Sequence, residues 1–198
     1  MDSIQNIIRQ QIESKRRGTL LFPVDFHSFG SREAVRASLS RLCKSGVITR
    51  VAQGVYCRPK TDKWNGEPIL PSLEEIAKGI AKRDKARIVP TGDYALNVLG
   101  ISTQMPVNVV FITDGPQRKV SIGQGRVIQF KHSEEMRMFA YHSSLMQMTV
   151  MAMREIGETN LTASQINVLK SNMKNVSEKE FNNDIQLAPV WVAKILKS

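Results

Sequence analysis

Apolar positions near the start of the chain recur with a helical period. Ile4, Ile7, Ile8 and Ile12 stand at i, i+3, i+4 and i+8, which predicts a one-faced amphipathic helix. The helix is expected to end in "SKRRG", where cations suit a helix C-terminus and Gly18 can stop it. "TLLF" reads as a short strand, and Pro23 opens a brief helical turn through "VDFHSF". Ser31 is placed to cap the next helix, with Glu33 in its first turn and Gly46 at its end. That helix has two unlike faces. Val35, Ser38, Leu39, Leu42 and Gly46 fall on one side, and Arg36, Ala37, Ser40, Arg41 and Lys44 on the other. Val47, Thr49 and Val51 then alternate with Ile48 and Arg50, Ala52-Gln53-Gly54 interrupts, and Val55, Tyr56 and Cys57 resume. This pattern predicts a two-stranded hairpin, ended by Pro59.

The pattern changes beyond residue 59. "PKTDKWNGEPILPS" is rich in turn formers and reads as a linker. Ser72-x-x-Glu75 is a capping box that opens a helix from about Leu73 to Arg83. "ARIVP" follows as a strand, and "TGDYALNVLG" as a turn and short helix that closes at Gly100. "VNVVFIT" is β-branched and mostly apolar, as a central strand is. "DGP" turns the chain, and "RKVSI" and "RVIQFK" flank a "GQG" hairpin turn. From Ser143 to Ile156 runs a Met-rich helix with Leu145, Met148, Thr149, Ala152 and Ile156 on one stripe. Met146, Met151 and Met153 carry apolarity round to its other faces, which predicts burial on all sides. Thr162-x-x-Gln165 opens another helix, and the tail holds one or two short helices with Trp191 as a docking anchor.

Helix, strand, short helix, turn, helix and hairpin in that order are the layout of a winged helix-turn-helix. The expected fold is therefore α+β: a winged helix-turn-helix over residues 1–60, a linker over 61–71 and a second α/β domain over 72–198.

Charge sharpens this reading. The net charge is +10 and the pI about 9.9, so an anionic partner is expected. Residues 1–63 carry 12 Lys and Arg against 5 Asp and Glu, which is most of the excess. Val35, Leu39 and Leu42 would anchor the two-faced helix on its own core and leave its cations for DNA. Arg32, Arg36 and Ser40 are the expected base readers, because Arg can bond guanine O6 and N7 bidentately. Arg41, Lys44, Arg50 and the Lys15, Arg16, Arg17 cluster are expected on phosphate, and Gln53 sits where a wing would reach the flanking backbone. A merely solvated or protein-docking face is the plainer alternative.

The run "SREAVRASLSRLCKSGVITRVAQGVY" resembles the N-terminal domain of the AbiEi family, with Leu39, Leu42, Gly46, Gly54 and Tyr56 at that family's motif positions. "IVPTGDYALNVLGISTQMP", "VVFITDGPQRKVSIG" and "IQFK" resemble the second domain of a subgroup of the same family. The resemblance covers most of residues 30–157. It implies the antitoxin of a type IV toxin–antitoxin, or abortive-infection, pair that acts in phage defence. Such a protein represses its own promoter and is paired with a nucleotidyltransferase-like toxin encoded alongside. It also implies that the second domain supports neutralisation without a stable complex with the toxin. It does not say which residues neutralise. Thr91, Gly92, Asp93, Tyr94, Asn97, Gln104, Thr113 and Asp114 are polar or turn residues of the matched stretches, for which turns and caps are the default roles.

Catalytic patterns are sparse. His27, His132 and His142 are scattered, and neither zinc spacings nor GxxxxGK[ST] nor GxGxxG occurs. Asp114 with Gln129 and Lys131 faintly resembles the arrangement of restriction-endonuclease-like folds, but Gln129 stands where a carboxylate would hold Mg²⁺. No enzyme, cofactor or metal site is expected. Cys43 and Cys57 are expected as free, buried thiols. The N-terminus lacks the apolar core of a secretory signal and no stretch suits a membrane span, so a soluble cytoplasmic protein is expected.

Overall fold

The isoleucine row becomes helix α1 (Ile4–Ser14) in the computed structural model, which describes residues 3–104, 106–123 and 125–198. The chain is a mixed α+β protein. It divides into two compact units, residues 1–79 with 120–126 and residues 80–119 with 127–198.

In the first unit, α1 buries Ile8 and Ile12 and stops at Ser14, earlier than the sequence pattern suggests. Lys15 is already extended, so Lys15, Arg16 and Arg17 follow the helix instead of filling its last turn. The Gly18 N–H then donates to the Arg58 carbonyl (2.7 Å). Strand β1 (Leu20–Leu21) leads into a 3-10 helix, Pro23–Phe29, whose Asp25 carboxylate accepts the Phe22 N–H (2.8 Å). Ser31 caps α2 (Arg32–Lys44) by accepting the Ala34 N–H (3.2 Å). Val35, Ser38, Leu39 and Leu42 are buried as the periodicity predicts. Gly46 is not on that stripe. It is exposed at φ +75°, and the Val47 and Ile48 N–H groups fold back onto the Leu42 carbonyl. A left-handed residue is what this exit requires, and glycine adopts it at least cost.

Strands β2 (Thr49–Ala52) and β3 (Val55–Cys57) form the expected hairpin. With β1 they make an antiparallel sheet ordered β1-β3-β2, in register at Leu20↔Cys57 and Thr49↔Cys57. Ile8, Ile12, Leu21, Phe26, Val35, Leu39, Leu42, Ile48 and Tyr56 pack into one core beneath it. The stretch read as a linker is partly ordered. Strands β4 (Lys60–Thr61) and β5 (Pro68–Ile69) pair antiparallel around a tight turn. Helix α3 (Leu73–Arg83) then opens on the expected capping box, with Glu75 N–H on Ser72 Oγ (3.1 Å) and Ser72 N–H on Glu75 Oε2 (2.7 Å).

The second unit is built on β6 (Ile88–Thr91), β7 (Val109–Thr113) and most of β9 (Arg126–His132), while β8 (Arg118–Gly123) passes into the first unit at residue 120; the sheet order is β6-β7-β9-β8. The β-branched β7 is internal, antiparallel to β6 at Val89↔Ile112 and parallel to β9 at Phe111↔Phe130. Of the expected "GQG" turn, Gln124 lies outside the described residues, as does Met105 in the stretch before β7. Helix α4 (Gly92–Val98) follows β6, and α5 (Ser144–Ile156) runs through the core. Met146, Met148, Thr149, Val150, Met151, Ala152 and Met153 are all buried, so the methionines fill space on several sides of α5. Helices α6 (Ala163–Met173), α7 (Glu178–Asp184) and α8 (Val190–Lys197) complete this core, with Trp191 packed half-buried against it. No helix among the described residues is long and apolar enough to cross a membrane.

Candidate nucleic-acid interface

Helix α2 presents the candidate site. Because Val35, Leu39 and Leu42 are fully buried, the opposite face of the helix must point to water. Arg32, Arg36, Ser40 and Lys44 follow one another at i, i+4, i+8 and i+12, a single row along the cylinder, with Arg41 beside it. All five are exposed. Among the described residues, none of these side chains forms a hydrogen bond or an ion pair. Thirteen residues make a helix about 20 Å long, and a major groove about 12 Å wide admits such a cylinder. The one acid of α2, Glu33, lies in the first turn, fully exposed. Hydrogen bonds from its own backbone N–H and from Ser31 hold its carboxyl below the usual range against slight desolvation, and Arg32 and Arg36 act in the same direction.

The other candidates lie elsewhere in the same unit. Gln53 is exposed in the β2–β3 turn. Arg50 is exposed on β2, beside a register shift between Arg50 and Ala52, and its Nε reaches the Ala52 carbonyl (3.4 Å). Lys15, Arg16 and Arg17 are exposed beside Arg58 and Pro59, at the end of β3 away from the Gln53-Gly54 turn. Arg17 is partly engaged there, donating to the Pro59 carbonyl (3.1 Å) and the Thr61 hydroxyl (3.5 Å). Arg58 in turn donates to the Glu13 carbonyl (2.7 Å) at the end of α1. The structure thus aligns the α2 residues in one row, puts Arg50 and Gln53 on the hairpin, and sets the 15–17 cluster apart.

Two neighbours escaped the sequence reading. A groove of about 480 Å³ runs between the 3-10 helix and the first half of α2, lined by Pro23, Val24, His27, Arg32, Val35 and Arg36 among others. His27 Nδ1 donates to the Val24 carbonyl (2.6 Å). The available signal was the element order, since two helical segments joined by a short turn pack against each other. Trp64, at the tip of the β4–β5 hairpin, is 97% exposed. It was masked by the turn formers around it.

Thr91, Gly92, Asn97, Thr113 and Asp114 have structural occupations in the second unit. The Thr91 hydroxyl and the Gly92 N–H both donate to Glu155 (2.9 and 2.7 Å), which ties α5 to the start of α4. Asn97 donates to the Ser102 carbonyl, and Thr113 to the Arg87 carbonyl. Asp114 accepts the Arg87 N–H (2.6 Å) and its guanidinium Nε (2.7 Å). Burial pushes the Asp114 carboxyl up, but these Arg87 contacts outweigh it and hold the group below its usual range. The carboxylate of the nuclease-like pattern is therefore engaged by a cation of its own chain. Among the described residues, no three His, Cys, Asp or Glu side chains are grouped to hold a metal ion.

Residues 7–181 match the model of DUF6088, a family of unknown function. No curated protein matches the chain.

Proposed function

The chain belongs to the DUF6088 family, and we propose that it binds double-stranded DNA at its own promoter and represses transcription, through a winged helix-turn-helix over residues 1–60. The observation that carries this reading is the exposed, unpaired row Arg32, Arg36, Ser40 and Lys44 on α2, backed by a dedicated apolar core. Guanidiniums held on a rigid helix can read guanine edges, and Lys44, Arg41 and Arg50 can neutralise phosphates. The β2–β3 hairpin serves as the wing, with Gln53 at its turn. The resemblance of residues 31–56 and of stretches between 88 and 131 to AbiEi antitoxins supports a second role, in which the second unit aids neutralisation of a nucleotidyltransferase-like toxin. This reading is not enzymatic. The engagement of Asp114 by Arg87 disfavours a metal-dependent nuclease, whose carboxylates must be free to bind the ion.

Titration of the protein against its own upstream DNA and a scrambled duplex tests the proposal. Binding tighter to its own DNA by about 10³-fold, with a steep loss in salt, is expected of a specific reader. Equal, weak binding to both duplexes would reduce the basic unit to a general phosphate-seeking surface. Co-expression with an adjacent nucleotidyltransferase gene, where one exists, separates an antitoxin from a plain regulator.

A further inference from the structure

Trp64 is the largest side chain left in water, 97% exposed at the tip of the β4–β5 hairpin. An indole presents about 200 Å² of largely apolar surface, and nothing in the winged-helix reading uses it. The turn that carries it is nevertheless firmly built. The Asp62 carboxylate accepts the Trp64 and Asn65 N–H groups (2.7 and 3.2 Å), and Asn65 Oδ1 accepts the Glu67 N–H (3.0 Å). The Asp62 N–H donates to the Glu67 carbonyl (2.8 Å), and Gly66 at φ +74° closes the loop. A chain segment ordered this way displays its indole at little further entropic cost on binding.

The surroundings indicate a partner. Lys60 and Lys63 are exposed on either side of Asp62, whose own charge is turned inward to the N–H groups. The hairpin base joins the Lys15–Arg17 cluster, because Arg17 donates to Pro59 and Thr61 and the Lys60 stem lies over Gly18. Glu67 is the opposing exposed acid on the loop. Lysines are depleted in protein–protein interface cores, whereas cations around an exposed aromatic suit a duplex, whose grooves offer apolar sugar surface between rows of phosphates. We infer that the 60–69 hairpin is a second DNA-contacting element, which sets the Trp64 indole against sugars and base edges in the groove flanking the α2 site. Lys60, Lys63 and the Lys15–Arg17 cluster hold the adjoining phosphates.

This inference rests on the DNA-binding reading above. The test uses the full chain, with Trp64→Ala, and with Trp64→Phe to separate its emission from that of Trp191. Two duplexes of the upstream DNA are titrated: the shortest that binds, and one extended by about one helical turn on each side. The long duplex should quench Trp64 emission, and Trp64→Ala should weaken its binding about tenfold while leaving the short duplex unaffected. A Trp64→Ala protein that binds the long duplex like wild type, while Arg36→Ala loses affinity, overturns the inference and leaves the α2 reading standing. Wild type that binds neither duplex overturns both. Trp64 emission that responds only to phosphatidylserine-containing vesicles, or only to protein concentration, assigns the hairpin to a membrane or protein and likewise overturns it.

Discussion

Asp114 shows at the scale of a residue how a conspicuous acid can be structural. Its carboxylate accepts two hydrogen bonds from Arg87. Its folded-state affinity for protons is therefore below that of the unfolded chain, despite the burial that opposes this. A carboxyl with a depressed folded-state value contributes stability above its unfolded value, about pH 4. That contribution is lost as pH falls through the folded value. Asp114→Asn should therefore lower stability at pH 7 and lose less on acidification than wild type, as read by chemical denaturation at pH 7 and pH 3. An unchanged acid response would mean that Arg87 does not hold the charge. Cys57 carries a second residue-scale consequence. Its burial, with a smaller contribution from neighbouring Cys43, pushes the thiol up to about 11. It is thus a core side chain and not a reactive one; both cysteines are free as the sequence suggests, but Cys43, at the edge of the α2 stripe, is only half-buried.

At the scale of elements, the helices were the legible part. Ser31, Ser72, Ser143 and Thr162 each announce a helix, and each side chain accepts a hydrogen bond from the first turn. Long-range features were hidden because period and propensity are local. The parallel pairing of β7 with β9 joins strands separated by β8. The β4–β5 hairpin lies within Pro, Asn and Gly that also suit a linker. Asp184 is fully buried and accepts the His142 and Ser143 N–H groups and the His142 ring N–H (2.8–3.0 Å), pinning the start of α5 from 41 and 42 residues away. No spacing rule points to such a partner. Asp184→Ala leaves the buried Ser143 N–H and the part-buried His142 N–H without an acceptor and should cost about 2–4 kcal/mol in equilibrium unfolding. A loss under about 0.5 kcal/mol, the size of an ordinary surface change, would show the pin to be incidental. Gly46→Ala acts differently. Nothing lies within 4 Å of the added Cβ, so its cost is the left-handed backbone alone, about 1 kcal/mol. DNA affinity per folded molecule should not change.

On the scale of the whole molecule, the uneven charge is the clearest message. Residues 1–63 hold 12 cations against 5 acids, while the remaining 135 residues hold 16 against 13. The candidate DNA contacts all fall in the first unit, within the N-terminal 63 residues whose excess of cations would draw DNA in. The candidate site was legible in its α2 face, where burial of Val35, Leu39 and Leu42 dictates what remains exposed. It was less legible at Lys15–Arg17, which the early end of α1 and the contacts with Pro59 and Thr61 set beside the second hairpin. In the proposed function, α2 enters DNA with its row of cations. The most direct measurement is the affinity of wild type, Arg36→Ala and Lys44→Ala for the upstream duplex at several salt concentrations. Arg36→Ala should lose about 1–3 kcal/mol and discriminate less well against a scrambled duplex. Lys44→Ala should weaken all duplexes alike and lower the salt slope by about one unit. If both substitutions left affinity, discrimination and salt slope unchanged in a folded protein, α2 would not be the element that meets DNA.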